Sequence, residues 1–101
     1  MNAAVIGYAR LNPAGYGLTS KASLFAPDSV AFWEPDESNP FNFADAASRP
    51  SDGASRRHSP TCIIGTFGGR VEWIPLRTFF QLSAATNRNR LWCSPDTRDG
   101  H

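Results

Sequence analysis

The strongest pattern of apolar and polar positions lies between residues 61 and 75. It reads Thr61-Cys62-Ile63-Ile64-Gly65-Thr66-Phe67, then Gly68-Gly69, then Arg70-Val71-Glu72-Trp73-Ile74-Pro75. β-Branched and aromatic residues crowd both runs, and the glycine pair between them supplies the positive φ that tight hairpin turns need. The pattern predicts a β-hairpin with a two-residue loop. In that register Phe67 faces Arg70, Thr66 faces Val71 and Ile64 faces Trp73. One sheet face then carries Cys62, Ile64, Val71 and Trp73, and this is the better core candidate. The other carries Ile63, Phe67 and Ile74 beside Arg70 and Glu72. With Trp73 in the core, Trp73→Ala is expected to cost about 3–5 kcal/mol.

Shorter signals flank the hairpin. The apolar run Ala3–Ala9 reads as a buried strand, and Asn12–Gly17 as a turn. Ser20–Phe25 predicts one or two helical turns, stopped by Pro27. Ser29–Trp33 predicts a second strand, closed by Pro35. Asn39 and Pro40 form a helix start, with Asn as N-cap and Pro at the first helical position. Phe41, Phe43, Ala44 and Ala47 give that short helix an apolar side. Thr78-Phe79-Phe80-Gln81 fits a capping box and predicts a helix over about 79–86, ended by Asn87. The alternation of Leu76, Thr78, Phe80 and Leu82 offers a third strand as the competing reading. Leu91-Trp92-Cys93 is expected to pack back on the core. Residues 48–60, rich in Ser, Arg, Pro, Asp and Gly, read as an exposed mobile loop that a short Gly/Ser linker could replace. Residues 94–101 read as a frayed tail. These elements assemble as one small α+β domain over 1–101. Its sheet is mainly antiparallel, with three or four strands and one or two short helices.

Composition narrows the function classes. A chain of 101 residues and 11.0 kDa suits one domain. No apolar run approaches the roughly 18–20 residues that span a bilayer. The stretch Met1–Gly7 lacks the basic start of a signal peptide, so a cytoplasmic protein without a membrane partner is expected. The ten basic residues are nine Arg and Lys21, a bias that GC-rich coding DNA also produces. Residues 1–45 set Arg10 and Lys21 against five carboxylates, a net of −3, whereas 46–101 set eight Arg against four, a net of +4. Such asymmetry marks either a basic binding face or two halves that attract each other. Cys62 and Cys93 are too few for a disulfide scaffold, and no spacing suits zinc. No metal and no cofactor is expected.

The N-terminal Ile6-Gly7-Tyr8-Ala9-Arg10-Leu11-Asn12 resembles the opening strand of the serine recombinases, the resolvases and invertases. Gly15 and Leu18 extend the resemblance, which covers about residues 5–25. In that family a strand ending in Tyr-x-Arg-x-Ser places an active-site Arg and the nucleophilic Ser. Tyr8 and Arg10 match, but Asn12 stands at the nucleophile position and cannot form a phosphoserine link. The resemblance therefore implies a degenerate fragment in which Arg10 alone does not cleave DNA.

Three other constellations invite a functional reading. Arg56-Arg57-His58-Ser59-Pro60 resembles a basic-directed phosphoacceptor around Ser59. Arg88, Arg90 and Trp92 could meet phosphates while the indole stacks on a base, or could be a solvated helix end. Gly65–Arg70 lacks the spacing of a phosphate-binding loop. No Ser/His/Asp or Cys/His set can be assembled, and His58 sits in the predicted loop. The sequence thus points to a non-enzymatic interaction protein. Its protein partner would meet an apolar or aromatic surface with arginines at the rim, and Arg56, Arg57, Arg88, Arg90 and Trp92 are the candidate contacts. Two alternatives stand beside it. One is a nucleic-acid binder, as a recombinase fragment or through the Arg-rich C-terminal half. The other is a poorly selected open reading frame without a defined function.

Overall fold

The hairpin signal becomes the centre of an antiparallel sheet in the structure, a computed structural model that describes residues 1–6, 20–38 and 47–101. Strand β1 is Val30–Trp33, β2 is Thr61–Thr66 and β3 is Val71–Pro75, arranged in the order β1-β2-β3. Helix α1, Leu76–Ala84, follows β3 without a break. Short 3-10 turns cover Ala3–Ile6, Ala22–Leu24 and Pro50–Asp52. This is a small α+β domain, with three strands and one α-helix among the described residues. Its radius of gyration, 13.0 Å, is that of a folded chain of this length.

The hairpin forms, but its register is one residue away from the sequence-based expectation. Thr66 N–H donates to Arg70 O at 2.9 Å and Gly69 N–H donates to Thr66 O at 3.0 Å, so the loop is Phe67-Gly68-Gly69. Gly69 closes it at φ 85°, in the left-handed region where glycine carries no steric penalty. The extra loop residue has a physical cause. Phe67 leaves the ladder to stack on Phe25, with ring centroids 4.0 Å apart and planes within 7°. Its N–H donates to Ser29 O, and Gly68 N–H donates to Pro27 O. Because side chains alternate with period two, a one-residue shift turns a whole strand over. Ile63 now faces Trp73, Ile64 faces Glu72 and Cys62 faces Ile74. Trp73, expected in the core, is 62% exposed, while Ile74 is buried.

The main core lies between the sheet and α1. Val30, Trp33, Cys62, Ile64 and Ile74 meet Leu76 and Phe79 from the helix, with Ala54 and Leu91 closing the edges. Leu76, Phe79 and half-buried Leu82 recur every third residue, which sets one side of the helix on the sheet. Phe79 is fully buried and its ring lies 5.7 Å from that of Trp33. Burial of such a side chain contributes about 1.5–3 kcal/mol. The helix starts at Leu76, three residues before the expected start at 79. Pro75 occupies the N-cap position, and Leu76 N–H is satisfied by Pro60 O at 3.0 Å. The β2–β3 ladder therefore does the work assigned to Thr78.

Three further expectations are corrected. Ala3–Ile6 is a 3-10 turn and not a strand, because Asn2 Oδ1 accepts Ala4 N–H at 3.0 Å and bends the chain at once. The expected loop 48–60 is not exposed throughout. Ala54 and Ser55 are buried, Gly53 O accepts the Trp33 indole N–H at 3.0 Å, and Pro50 O accepts Ser83 Oγ–H at 2.9 Å. A polar stretch here goes inside because its backbone carbonyls satisfy buried donors. The expected frayed tail 94–101 packs as well. Ser94 N–H donates to Gly100 O at 2.9 Å, Ser20 Oγ–H to Asp96 Oδ2 at 3.0 Å, and His101 stacks on Trp92. The expected turn at Asn12–Gly17 and the helix starting at Asn39-Pro40 lie outside the described residues.

Asn2 ties three segments together. It is fully buried, and its Nδ2 donates to Val30 O at 2.8 Å and Leu91 O at 2.9 Å. Its own N–H donates to Ala31 O at 2.7 Å. Val30 N–H donates in turn to Arg90 O at 2.8 Å. The outer edge of β1 is thus covered by chain from both ends of the sequence.

Candidate functional site

The register shift creates the feature that stands out. With Glu72 and Ile74 turned toward the helix side, Val71, Trp73 and Pro75 turn the other way. Across the strands Phe32 pairs with Gly65 and Gly65 with Val71, while Ile63 pairs with Trp73. Phe32 joins this side because the bulge between Val30 and Phe32 breaks the alternation of β1. Phe32 is 57% exposed, Val71 73% and Trp73 62%. Gly65 has a reason at the centre of the face: the Phe32 ring leans over it, so that an added Cβ would sit 3.6 Å from the ring. Ile63 is half-buried beside them.

A polar pair borders this apolar face. His58 meets Trp73 edge-on, with ring centroids 5.5 Å apart. Its Nε2 lies 3.4 Å from Glu34 Oε2, which follows β1 directly. His58 thus orients the indole at one end of the face.

The residues singled out from sequence fall elsewhere. Trp92 is buried, donates its indole N–H to Ser83 O at 2.8 Å and stacks on His101 at 4.0 Å. Asn89 Nδ2 donates to Leu82 O at 3.0 Å, so Asn89 and Trp92 together cap the carbonyl end of α1. Arg88 gathers the carbonyls of Ser94, Thr97 and Arg98. Arg90 Nη2 reaches both oxygens of Glu72 at 2.9 Å, and its Nε donates to Asp28 O at 2.8 Å. Arg70 shares the same carboxylate at 3.0 Å. Arg88, Arg90 and Trp92 are therefore spent on holding the C-terminal segment. Arg56 and Arg57 are exposed. The Arg56 guanidinium lies 5.5 Å from the Phe80 ring centroid, and Arg57 lies 3.5 Å from Glu37. The expected arginines do not converge on one surface. Tyr8, Arg10 and Asn12 lie outside the described residues.

Both cysteines are free and buried. Burial pushes the Cys93 thiol up to about 11, partly offset by a hydrogen bond with Ser29 and by Arg88. Burial raises Cys62 too, and the Glu34 charge adds to it. Thiols held in the protonated form are weak nucleophiles and weak metal ligands. Among the described residues no group of three His, Cys, Asp or Glu side chains could hold a metal ion, and no helix is long and apolar enough to cross a membrane.

Sequence reasoning missed Phe32, Val71 and Trp73 as surface residues. The signal was present in the glycine pair, which fits a three-residue loop as well as a two-residue one. What selects the longer loop is Phe25, distant in sequence. Searches of protein-family models, curated proteins and solved structures match nothing to this chain.

Proposed function

We propose that the chain is a non-enzymatic interaction protein of the cytoplasm, and that it binds a protein partner on the outward face of its sheet. One observation carries the reading: Phe32 of β1 and Val71 and Trp73 of β3, all more than half exposed, share that face, with Gly65 and Ile63 of β2 between them. Aromatic and β-branched side chains left in water forgo about 25 cal/mol for each Å² of apolar surface that a partner would cover. Trp is also the residue most enriched at the energetic centres of interfaces. The nucleic-acid reading has less behind it, because Arg88 and Arg90 are occupied by carbonyls and by Glu72.

The test is a double variant, Val71→Thr with Trp73→Thr, which keeps β-forming side chains while removing the apolar surface. Retention of a specific protein by the wild type and its loss by the variant, with melting unchanged, supports the reading. Duplex binding that falls steeply with salt and is indifferent to the double variant overturns it in favour of nucleic acid.

A further inference from the structure

The face described above borders an open strand edge, and the two together define a mode of binding. We infer that β3 takes up an extended segment of the partner polypeptide as a fourth strand, and that this segment carries β-branched or apolar residues flanked by acidic ones. The inference rests on the docking-face reading and adds to it the edge, the geometry and the charge.

The hydrogen-bond phase of the hairpin fixes which backbone groups are free. Thr66 N–H donates to Arg70 O, and Leu76 N–H donates to Pro60 O. In an antiparallel ladder the bonded pairs alternate. Ile64 with Glu72 and Cys62 with Ile74 are therefore the bonded pairs between these two bonds. Val71, Trp73 and Pro75 direct their backbone groups away from β2. No backbone hydrogen bond reaches Val71 or Trp73 from that side among the described residues. The opposite edge of the sheet differs, since the chain around Asn2 and Arg90 already covers β1. Pro75 has no N–H to offer and ends the edge, as proline commonly does on exposed strands. A short stretch of N–H and C=O groups without a backbone partner among the described residues, with Val71 and Trp73 side chains beside it on the apolar face, has the elements of β-strand addition. The backbone supplies the bonds, and alternate side chains of the incoming strand lie next to Val71 and Trp73.

Charge selects the occupant. Arg70 precedes the edge and Arg77 follows it in the first turn of α1. Arg70 and Arg90 share the single carboxylate of Glu72, so that trio keeps one net positive charge. Arg77 is exposed. Both ends of the edge are therefore positive, and a strand with acidic ends complements them. A second copy of this chain does not. Pairing β3 antiparallel to itself about Trp73 would bring Arg70 within one position of the other copy's Arg77, and it would set Pro75 against the Val71 carbonyl with no N–H to donate.

Hydrogen exchange read by NMR tests the proposal. The probes are a short peptide of alternating valine and threonine with aspartates at both ends, and its counterpart with lysines. The aspartate peptide should slow exchange of the Val71 and Trp73 amides about tenfold or more and leave Glu72 and Ile74, already bonded to β2, unchanged. The lysine peptide should give much less protection. Arg77→Glu, which suits the first turn of a helix, should narrow or invert that preference. A change at the Trp73 indole without amide protection would mean that the face binds and the edge does not, which overturns this inference and leaves the docking-face reading intact. Equal protection by both peptides overturns the charge argument. Protection that rises with protein concentration in the absence of peptide overturns it in favour of self-pairing. Absence of any response to either peptide also rejects strand addition, whereas the docking-face reading falls only if the double Thr variant keeps its partner.

Discussion

Trp73 and Trp92 differ in how well their surroundings in the sequence place them. Trp73 stands in an alternating β-rich run and reads as core, yet its ring is exposed. Trp92 stands close to two arginines and is read both as a candidate contact and as part of a run that packs on the core; it is buried against the end of α1. The same contrast holds for their neighbours. Val71 is open to solvent, while Arg88 and Arg90 are bound to carbonyls and to Glu72. Local composition thus misassigns Trp73 and leaves Trp92 with two readings, of which the packed one holds. A side chain's place is set by whether its backbone carbonyls and donors find partners, and those partners are distant in sequence.

The sharpest way to break the contrast is to truncate both indoles. Trp92→Ala should cost about 3–5 kcal/mol, because it leaves a cavity and an unsatisfied Ser83 carbonyl. In a domain of this size that loss is most or all of the stability, and a chemical-denaturation midpoint reads it. A near-normal midpoint would mean that Trp92 does not cap the helix.

The next effect bears on the same segment. Gly100 has φ 83°, and a Cβ there would meet Trp92 O at 2.1 Å. Gly100→Ala should cost about 1–3 kcal/mol through the left-handed conformation and the displaced backbone. Melting and the His101 ring shifts, which report its stack on Trp92, check it together.

Trp73→Thr should change stability by less than about 1 kcal/mol, since its ring is more than half exposed and meets His58 only edge-on. Equality of the two indole truncations would erase the comparison. A Trp73 variant as damaged as the Trp92 one would place the outward face in the core.

The smallest expected effect is acid sensitivity of the tail. The His101 N–H holds the Asp99 carboxyl below its ordinary value of 3.8. The unfolded chain then binds the proton more readily, so this contribution is complete above 3.8 and fades as pH falls through the lower folded value. Wild type should lose slightly more stability than Asp99→Asn between about pH 5 and pH 3. Identical acid dependence in the two would show that the contact adds nothing.

Much of the fold was legible in local pattern. The β-branched run at 61–66, the helix through Phe79 and the strand ending at Trp33 appear where alternation and spacing place them. The register was not, because Gly68-Gly69 permits two loop lengths and Phe25 decides between them. Nor was the burial of 48–60, where Ala54 enters the core and the Gly53 carbonyl meets the Trp33 indole. Those contacts depend on acceptors that every residue carries, so side-chain identity gives no signal of them. Of the candidate site, the members of the exposed face were not legible. Phe32 and Val71 reach that surface through a bulge in one strand and a longer loop in another.

Asn2 also bears on the timing of folding. Its amide meets Leu91 O, 89 residues further along the chain. At a synthesis rate of about 5–20 residues per second, roughly 5–20 s separate the making of the two groups. For that interval the β1 edge has neither its Arg90 partner nor the carbonyl that completes Asn2. The sheet itself lacks β3 until Pro75 is made, 16 residues before Leu91, so its pairing precedes this closure by only about 1–3 s at that rate. Contacts of such long span slow folding. Completion of this fold is therefore a late event, set by when Leu91 arrives.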